Sequence, residues 1–332
     1  MCDITTELVM NESSEPSSTV PVDIAQAASF LRGRFGGDVS DLSRFDQGNW
    51  SKAYGFSHTS SSYVIRFSPL QEDFLKDQIV GRYSSPALPI PRITEVGEAL
   101  GGYYAIAERA LGQYLDALEQ DEMRALLPAL FAALDAARLA DLSPFRGYGV
   151  WGADGAAPHA AWRTALLDVV NDRPNDRTYG WRERLHAFPE RSEIFERGVS
   201  YLKSFVDSAS EERQLIHSDL LNYNVLVSGD RISGVLDWGC AMYGDFLYDV
   251  AWLCFWAPWY PAWAGIDFRG EAKRHYQEIG LTVQNLDERL RCYEAHIGLL
   301  DMAYLAFKEC WDAFDTVAQR TLEVATPNRS FH

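Results

Sequence analysis

The pattern of apolar and polar residues divides the chain into a strand-rich first part and a helical second part. Apolar residues recur at helical spacing between residues 22 and 35, which predicts an amphipathic helix there. Short runs of strand-forming residues, separated by turn residues, predict an antiparallel sheet next to it. We expect its strands at residues 42–45, 53–57, 63–67, 92–97 and 103–108. A second helix is expected at residues 72–83, between the third and the fourth of these strands.

Helical periodicity dominates after Gly112, where the composition shifts to alanine and leucine. Eight apolar residues between Leu286 and Trp311 follow one another at spacings of three and four, which predicts one long helix. A glycine-rich stretch at residues 143–158 is expected to be a loop. Further helices are predicted at residues 115–139, 160–170 and 190–208.

Composition indicates a tail and two lobes. Residues 1–21 are rich in serine, glutamate, threonine and proline and lack apolar periodicity, which is typical of a flexible tail. A boundary near residues 109–113 would separate an N-terminal lobe at 22–110 from a C-terminal lobe at 111–325. A chain of 332 residues with 47% apolar content is long enough to give both lobes a buried core.

A formal net charge of −17 restricts the partners that the protein can bind. Such an acidic surface repels the phosphates of nucleic acids and anionic lipids, and it attracts small cations. We therefore expect neither a nucleic-acid partner nor a membrane partner, and we expect a monomer. Five widely spaced cysteines, without a signal peptide or a membrane-spanning run, are typical of a cytoplasmic protein.

One stretch carries a pattern suited to phosphoryl transfer. His217, Asp219 and Asn224 form the sequence H-x-D-x-x-x-x-N, and Asp237 follows thirteen residues after Asn224. Two apolar strands joined by a turn at residues 228–230 would bring Asn224 and Asp237 together beside the Asp219 loop. Asp219 could then accept a proton from an attacking hydroxyl, Asn224 and Asp237 could hold Mg²⁺, and His217 would support the loop. The simpler alternative is that His217 and Asp219 cap a turn while Asp237 ends a strand.

These residues, together with Gly244-Asp245 and Tyr248-Asp249-Val250-Ala251, resemble the aminoglycoside phosphotransferase family, especially its members that phosphorylate hygromycin B. The similarity extends from about residue 22 to residue 315 and is weakest in the middle. It implies an α+β, protein-kinase-like fold with an N-terminal antiparallel sheet lobe and a larger, mainly helical C-terminal lobe. It also implies ATP and Mg²⁺ as cofactors, and a cationic aminoglycoside or aminocyclitol antibiotic as the acceptor of the γ-phosphoryl group.

The resemblance implies roles for residues of the first lobe. Gly48 and Ser51 would lie in a loop over the ATP phosphates, whereas without the resemblance this segment is an ordinary hairpin turn. Arg66 stands on the third strand where protein kinases place a lysine, and a guanidinium can bind phosphate oxygens with two hydrogen bonds. Asp77 is favoured over Glu72 as its acidic partner, the alternative being that both are solvated. The residues expected at the nucleotide are Gly48, Ser51, Arg66, Asp77, Glu108 and Ala110. The last two belong to the connector between the lobes, and their backbone could form hydrogen bonds with adenine.

An acceptor with several ammonium groups requires carboxylates and flat aromatic surfaces, and the C-terminal lobe offers both. Glu294 and Asp301 lie seven residues apart and therefore on one stripe of the predicted long helix, although helix acids can simply be solvated. Asp245 and Asp249 could instead fix local backbone or the catalytic loop through hydrogen bonds. The residues expected at the acceptor are Trp238, Asp245, Trp256, Trp259, Glu294 and Asp301.

Three other functions fit part of this pattern. A kinase for another hydroxylated metabolite, such as a sugar, choline or an amino alcohol, would use the same catalytic residues. A nucleotide-binding pseudokinase is suggested by Arg66, but the positions of Asp219, Asn224 and Asp237 are filled. A metal-dependent hydrolase would need a second histidine at ligand spacing from His217, which the sequence lacks.

Overall fold

A five-stranded antiparallel sheet forms the body of the N-terminal part. The computed structural model describes residues 20–45 and 50–325, so most of the predicted tail and the predicted phosphate-loop residue Gly48 lie outside the described residues. The strands lie in the order β1-β2-β3-β5-β4 across the sheet. They are β1 (Val39–Phe45), β2 (Lys52–His58), β3 (Ser61–Ser68), β4 (Ile93–Ala99) and β5 (Gly102–Glu108).

Helix α1 (Ile24–Phe35) covers one face of this sheet. It begins at a capping box, in which the Asp23 carboxylate accepts a hydrogen bond from the Gln26 amide and the Gln26 side chain accepts one from the Asp23 amide, both at 2.8 Å. Ala27 and Leu31, four residues apart, are fully buried and pack with aromatic side chains of β2, β3 and β5. The amphipathic helix predicted at residues 22–35 is confirmed.

Helix α2 (Glu72–Val80) differs from α1 because its buried face is charged. Asp73, Lys76 and Asp77 are spaced so that they share one face of the helix, and they are only 8%, 1% and 5% exposed. This face lies against the segment that follows Asp237 in the other half of the chain. The predicted helix at 72–83 therefore exists, with its last turn tightened into a 3₁₀ turn after Val80.

The second half of the chain is mainly helical. Helix α9 is buried on nearly all sides and contacts α5, α6, α7 and α10, so it forms the centre of the larger core. Among the described residues, no helix has both the length and the apolar composition needed to cross a membrane. The helices are α3 (Gln120–Arg138), α4 (Trp162–Leu167), α5 (Trp181–His186), α6 (Pro189–Phe205), α7 (Leu247–Trp256), α8 (Phe268–Glu278), α9 (Leu286–Phe307) and α10 (Trp311–Ala325).

Two predicted helix boundaries were wrong. The long C-terminal helix is divided into α9 and α10, because Glu309 has a left-handed backbone with φ 56° and cannot continue a right-handed helix. The helix predicted at 115–139 starts later, since Leu115–Ala117 form a 3₁₀ turn. The true start of α3 is fixed by Glu119, whose amide donates to the Glu122 side chain at 3.0 Å.

Two small sheets complete the fold and carry the ends of the catalytic segment. One has the order β10-β9-β6 and the other the order β7-β11-β8. The hairpin predicted around residues 228–230 is confirmed, and β6 joins it after the chain leaves the first sheet. The proposed lobe boundary at residues 110 and 111 falls in this connector. The strands are β6 (Gln113–Tyr114), β7 (Gly149–Val150), β8 (Gln214–Ile216), β9 (Val225–Ser228), β10 (Arg231–Val235) and β11 (Met242–Gly244).

A buried histidine of α9 makes the stability of the fold depend on pH. His296 Nδ1 lies 2.9 Å from the Tyr248 hydroxyl, and burial lowers the pKa of His296 from 6.5 to about 3. The unfolded chain therefore takes up a proton below pH 6.5 that the folded chain excludes, so stability falls as the pH drops from 6.5 towards 3. We expect this loss to be smaller in His296→Gln. Urea unfolding of both proteins between pH 7 and pH 4.5 measures it, and parallel pH curves would contradict the expectation.

Candidate active site

A cleft of about 480 Å³ lies between the five-stranded sheet and the β9–β10 hairpin. Ala53 and Val64 from the sheet and Leu226 from the hairpin line its apolar walls. The connector between the two halves borders one end, and Asn224 and Asp237 border the other. A mostly apolar cleft of this size with polar groups at one end suits a ligand of nucleotide dimensions.

The His217 ring ties the loop between β8 and β9 to the segment that leads to Asp237. The Asp219 amide donates to His217 Nδ1 at 3.2 Å, and His217 Nε2 lies 2.8 Å from the Leu236 carbonyl oxygen. Because Nδ1 accepts a hydrogen bond, the proton belongs on Nε2, which donates to Leu236. This geometry fits the supporting role expected for His217.

Asp249, in the first turn of α7, holds the same loop by its backbone. Its two carboxylate oxygens accept hydrogen bonds from the amides of His217 at 2.9 Å and Ser218 at 2.8 Å. Burial raises the pKa of Asp249, and the neighbouring His217 opposes the rise. Of the roles weighed for Asp249, the contact with the catalytic loop is the one that the structure contains.

Four residues around the loop have a left-handed backbone, which turns the chain sharply. They are Ser218, Asn222, Tyr223 and Asp237, with φ of 61°, 63°, 66° and 55°. This conformation costs a non-glycine residue about 1–3 kcal/mol, so it persists only where surrounding contacts fix it. The turns allow the Asn222 side chain to donate to Asp219 Oδ1 at 2.9 Å. Asn222 could not be identified from the sequence, because its role depends on this backbone conformation.

Asn224 and Asp237 present oxygen atoms at the end of the cleft. Asn224 Nδ2 donates to the Asp219 carbonyl at 2.8 Å, which commits the amide nitrogen and leaves the amide oxygen as the ligand atom. The Asp237 side chain is exposed beside it, directly after the β10 strand. Amide and carboxylate oxygens are the donors that Mg²⁺ prefers, so these two residues fit the ion that the sequence implied.

Arg66 and Asp77, which both line the cleft, form an ion pair. Arg66 on β3 donates to Asp77 on α2, the partner favoured over Glu72, and the other Asp77 oxygen accepts from the Trp238 amide at 2.9 Å. Burial lowers the pKa of Arg66, but the charges of Asp77 and Asp237 outweigh it and raise the pKa overall. The pair therefore links a cation of the cleft to the backbone next to Asp237.

Lys76 is a buried cation that sequence reasoning missed. Its ammonium group donates to the carbonyl oxygens of Gly239 at 2.5 Å and Ala241 at 3.5 Å, and it lies 4.7 Å from the centre of the Trp151 ring. Burial lowers the pKa of Lys76. Together with Asp77, it fastens α2 to the residues that follow Asp237. The only sequence signal was its position beside Asp77.

Lys76→Met is expected to lower the free energy of unfolding by about 1–3 kcal/mol, because the buried Gly239 and Ala241 carbonyls lose their donor. Methionine keeps most of the side-chain volume and therefore isolates the loss of hydrogen bonds. Urea denaturation followed by circular dichroism measures the change. Lys203→Met, at an exposed position of α6, is the matched control and should unfold like the wild type. Equal stability of the two variants would contradict the expectation.

A second bridge reaches α2 from the segment before α5. Arg177 donates to both oxygens of Asp73, at 3.0 and 2.7 Å, and its guanidinium lies 5.7 Å from the centre of the Trp50 ring. Asp73 and Trp50 belong to the first half of the chain, and Arg177 belongs to the second. This ion pair therefore adds to the contacts that join the two halves beside the cleft.

Two carboxylates expected at the acceptor instead form internal ion pairs. Asp245 is fully buried and accepts hydrogen bonds from Arg289, at 2.7 and 2.6 Å, and from the Tyr293 hydroxyl. Glu294 is 2% exposed and accepts one from Arg269 at 2.7 Å. Both side chains are neutralised inside the C-terminal core, which corrects the expectation that they contact an acceptor.

Of the other residues expected at the acceptor, two are buried in the core and two keep exposed surface. Trp238 packs against His217 with 4.6 Å between ring centres, and Trp256 is 4% exposed, so both belong to the core and not to an open wall. Trp259 is half-buried with its ring edge-on to Trp256. Asp301 is also half-buried, and burial and the charge of Asp219 raise its pKa. Trp259 and Asp301 therefore stay predictions, since both retain exposed surface.

Comparison with known proteins shows the family to which the chain belongs. Residues 41–290 match the Phosphotransferase enzyme family, and this range includes the cleft and the whole catalytic segment. The chain belongs to that family. Among curated proteins it is similar to hygromycin-B 4-O-kinase from Escherichia coli, with 33% identity over 263 residues that make up 79% of this chain and 73% of the relative.

Solved structures agree with this assignment. The crystal structure of aminoglycoside phosphotransferase APH(4)-Ia has a TM-score of 0.78 and 29% identity, over 90% of this chain and 97% of that one. A thermostable mutant of the same protein, in a ternary complex with AMP-PNP and hygromycin B, has a TM-score of 0.77, 30% identity and the same coverage. Spectinomycin phosphotransferase APH(9)-Ia, with 15% identity, a TM-score of 0.56 and coverage of 92% and 99%, shares the fold alone. The predicted protein-kinase-like α+β fold and family are confirmed.

Proposed function

We propose that the chain is an ATP-dependent O-phosphotransferase that transfers the γ-phosphoryl group to a hydroxyl of hygromycin B or a related aminocyclitol antibiotic, and so confers resistance. The observation that carries the proposal is the position of Asp219, which is hydrogen-bonded to Asn222 and Asn224, two residues that line a nucleotide-sized cleft. The acceptor is supported by the 33% identity to hygromycin-B 4-O-kinase.

The nucleotide is proposed to lie along the cleft with adenine at the connector. The Glu108 amide already donates to the Arg92 carbonyl at 3.0 Å, so the adenine contacts fall to the Glu108 carbonyl and the Ala110 backbone. Ser51 lines the cleft on the sheet side, and Arg66 would bind the phosphates there. An AMP-PNP-bound relative of the same fold supports ATP as the donor.

Asn224 and Asp237 would hold Mg²⁺. When bound, this ion neutralises the charge of the phosphates, and phosphoryl transfer depends more on such neutralisation than on covalent catalysis. Asp219 would accept the proton of the attacking hydroxyl, and Asn222 orients its carboxylate for that step. His217 and Asp249 would act only by holding the loop. Asp219, Asn224, His217 and Asp249 are already held by hydrogen bonds in the positions that these roles require.

The acceptor is proposed to approach Asp219 from the side of Trp259 and Asp301. The net charge of −17 favours a polycationic acceptor, because long-range attraction raises its local concentration. We further propose a cytoplasmic monomer with lobes at 22–110 and 111–325. The free thiols of the four described cysteines are compatible with a reducing compartment.

The test is ADP release by the purified protein with ATP, Mg²⁺ and hygromycin B, beside a panel of other aminoglycosides, choline and simple sugars. We expect release that depends on hygromycin B, with phosphate found on the antibiotic by mass spectrometry. Release with choline or a sugar only would indicate a metabolite kinase. Tight ATP binding without turnover of any compound would favour a pseudokinase.

A further inference from the structure

We propose that Asp116 is a positioning residue for the catalytic base, acting through the backbone of the catalytic loop. The proposal rests on the phosphotransferase function given above. Asp116 lies in the 3₁₀ turn Leu115–Ala117, directly after β6, and so belongs to the chain that joins the two halves of the molecule. Its Oδ2 accepts a hydrogen bond from the Tyr223 amide at 3.1 Å. No role for this residue follows from the catalytic pattern itself.

The loop backbone at this point has the form of an anion-binding concavity. Asn222 and Tyr223 are consecutive and both left-handed, with φ of 63° and 66°. Successive amides in such turns converge on one point and attract a negative group. Burial raises the pKa of Asp116, whereas the amides of Tyr223 and Asn222 lower it because they bind the ionised form. The Asp116 carboxyl group occupies this concavity, where its Oδ2 receives the Tyr223 amide.

This concavity is joined to Asp219 on both sides. The Asn222 side chain donates to Asp219 Oδ1 at 2.9 Å, and Asn224, one residue after Tyr223, donates to the Asp219 carbonyl at 2.8 Å. The two amides that fix the base are thus carried by the backbone that Asp116 holds in its left-handed form. Without the anion, this backbone can relax to an ordinary conformation, and both asparagine side chains move away from Asp219.

Aromatic rings lie beside this contact. The Tyr114 ring lies edge-on to the Tyr223 ring with 5.1 Å between centres. Tyr260 lies between two short 3₁₀ turns that follow α7, and burial and the charge of Asp116 raise its pKa. A hydrogen bond from an amide to an ionised carboxylate is stronger than one between neutral groups. The negative charge of Asp219 adds to the rise in the pKa of Asp116.

Asp116→Asn tests the proposal, because it keeps the shape of the side chain and removes the charge. We expect kcat with hygromycin B to fall by about 10- to 100-fold, as for other small displacements of a reacting group, while the KM for ATP changes little. Hydrogen exchange of the peptide covering residues 217–224 should become faster. Asp121→Asn, at an exposed position in the first turn of α3, is the matched control and should change neither measurement.

A second background separates positioning from a general loss of structure. Glycine adopts the left-handed conformation without a steric penalty. Asp116→Asn should therefore lower kcat by a smaller factor in the Tyr223→Gly background than in the wild type. An equal fold-loss in both backgrounds, or wild-type kcat and exchange in Asp116→Asn, would overturn the proposal. If Asp116→Asn does not fold, Asp116→Ser takes its place with the same expected exchange. If the wild type phosphorylates no acceptor, the proposed function fails, and the exchange comparison still decides the role of Asp116.

Discussion

Asp219→Asn is expected to lower kcat for hygromycin B by about 10²–10⁴-fold, the usual contribution of a general base. The amide has the same shape as the carboxylate and can still accept the hydrogen bond from Asn222, so the loop should keep its conformation. What is lost is the negative charge that would receive the hydroxyl proton. Because nucleotide binding is assigned to other residues, the affinity for ATP should stay close to that of the wild type.

Initial rates and a fluorescence titration with ATP measure the two effects separately. Asp230→Asn is the matched control, since Asp230 is exposed in the turn between β9 and β10 and the chemical change is identical. That variant should behave like the wild type. Full activity of Asp219→Asn would remove Asp219 from the mechanism, and a parallel loss of ATP affinity would point to a role in binding the nucleotide.

Asp237→Ala should have the second largest effect, on the binding of ATP in the presence of Mg²⁺. Even residues outside the direct ligand shell typically cost about 10- to 100-fold in metal affinity, so loss of a carboxylate ligand should cost at least that.

Titration of Mg²⁺ at fixed ATP, followed by nucleotide binding and by rate, is the measurement. The half-saturating Mg²⁺ concentration should rise in Asp237→Ala and stay unchanged in Asp230→Ala. ATP binding measured without any divalent ion should differ little between the two variants. An unaltered Mg²⁺ dependence would show that Asp237 is not a metal ligand.

Much of the fold could be predicted because local patterns and tertiary structure agree. The strands of the first sheet come from short runs of strand-forming residues bounded by turn residues, and the turn at Gly229 connects two apolar runs that pair as predicted. The catalytic pattern was readable because its residues are close in sequence. The apolar periodicity continues across the break at Glu309, so the pattern wrongly predicted one helix in place of α9 and α10. A single left-handed residue does not change the spacing of apolar residues.

The buried charges could not be predicted. Asp245 and Glu294 were expected at the acceptor because their partners, Arg289 and Arg269, are far away in sequence or on another helix. Lys76 was missed for a related reason, since lysine is rarely buried and nothing local indicates the carbonyl groups that receive it. Sequence periodicity reports which positions face inward only when the inward-facing residues are apolar.

The charged face of α2 also bears on how related genes could exchange parts. Asp73, Lys76 and Asp77 all meet groups that lie beyond residue 170: Arg177, the Gly239 and Ala241 carbonyls and the Trp238 amide. A chimera joined at residues 110 and 111 would place a foreign surface against these three charges. Recombination between relatives is therefore best tolerated when α2 is inherited together with the C-terminal half, although the two are separated in the gene.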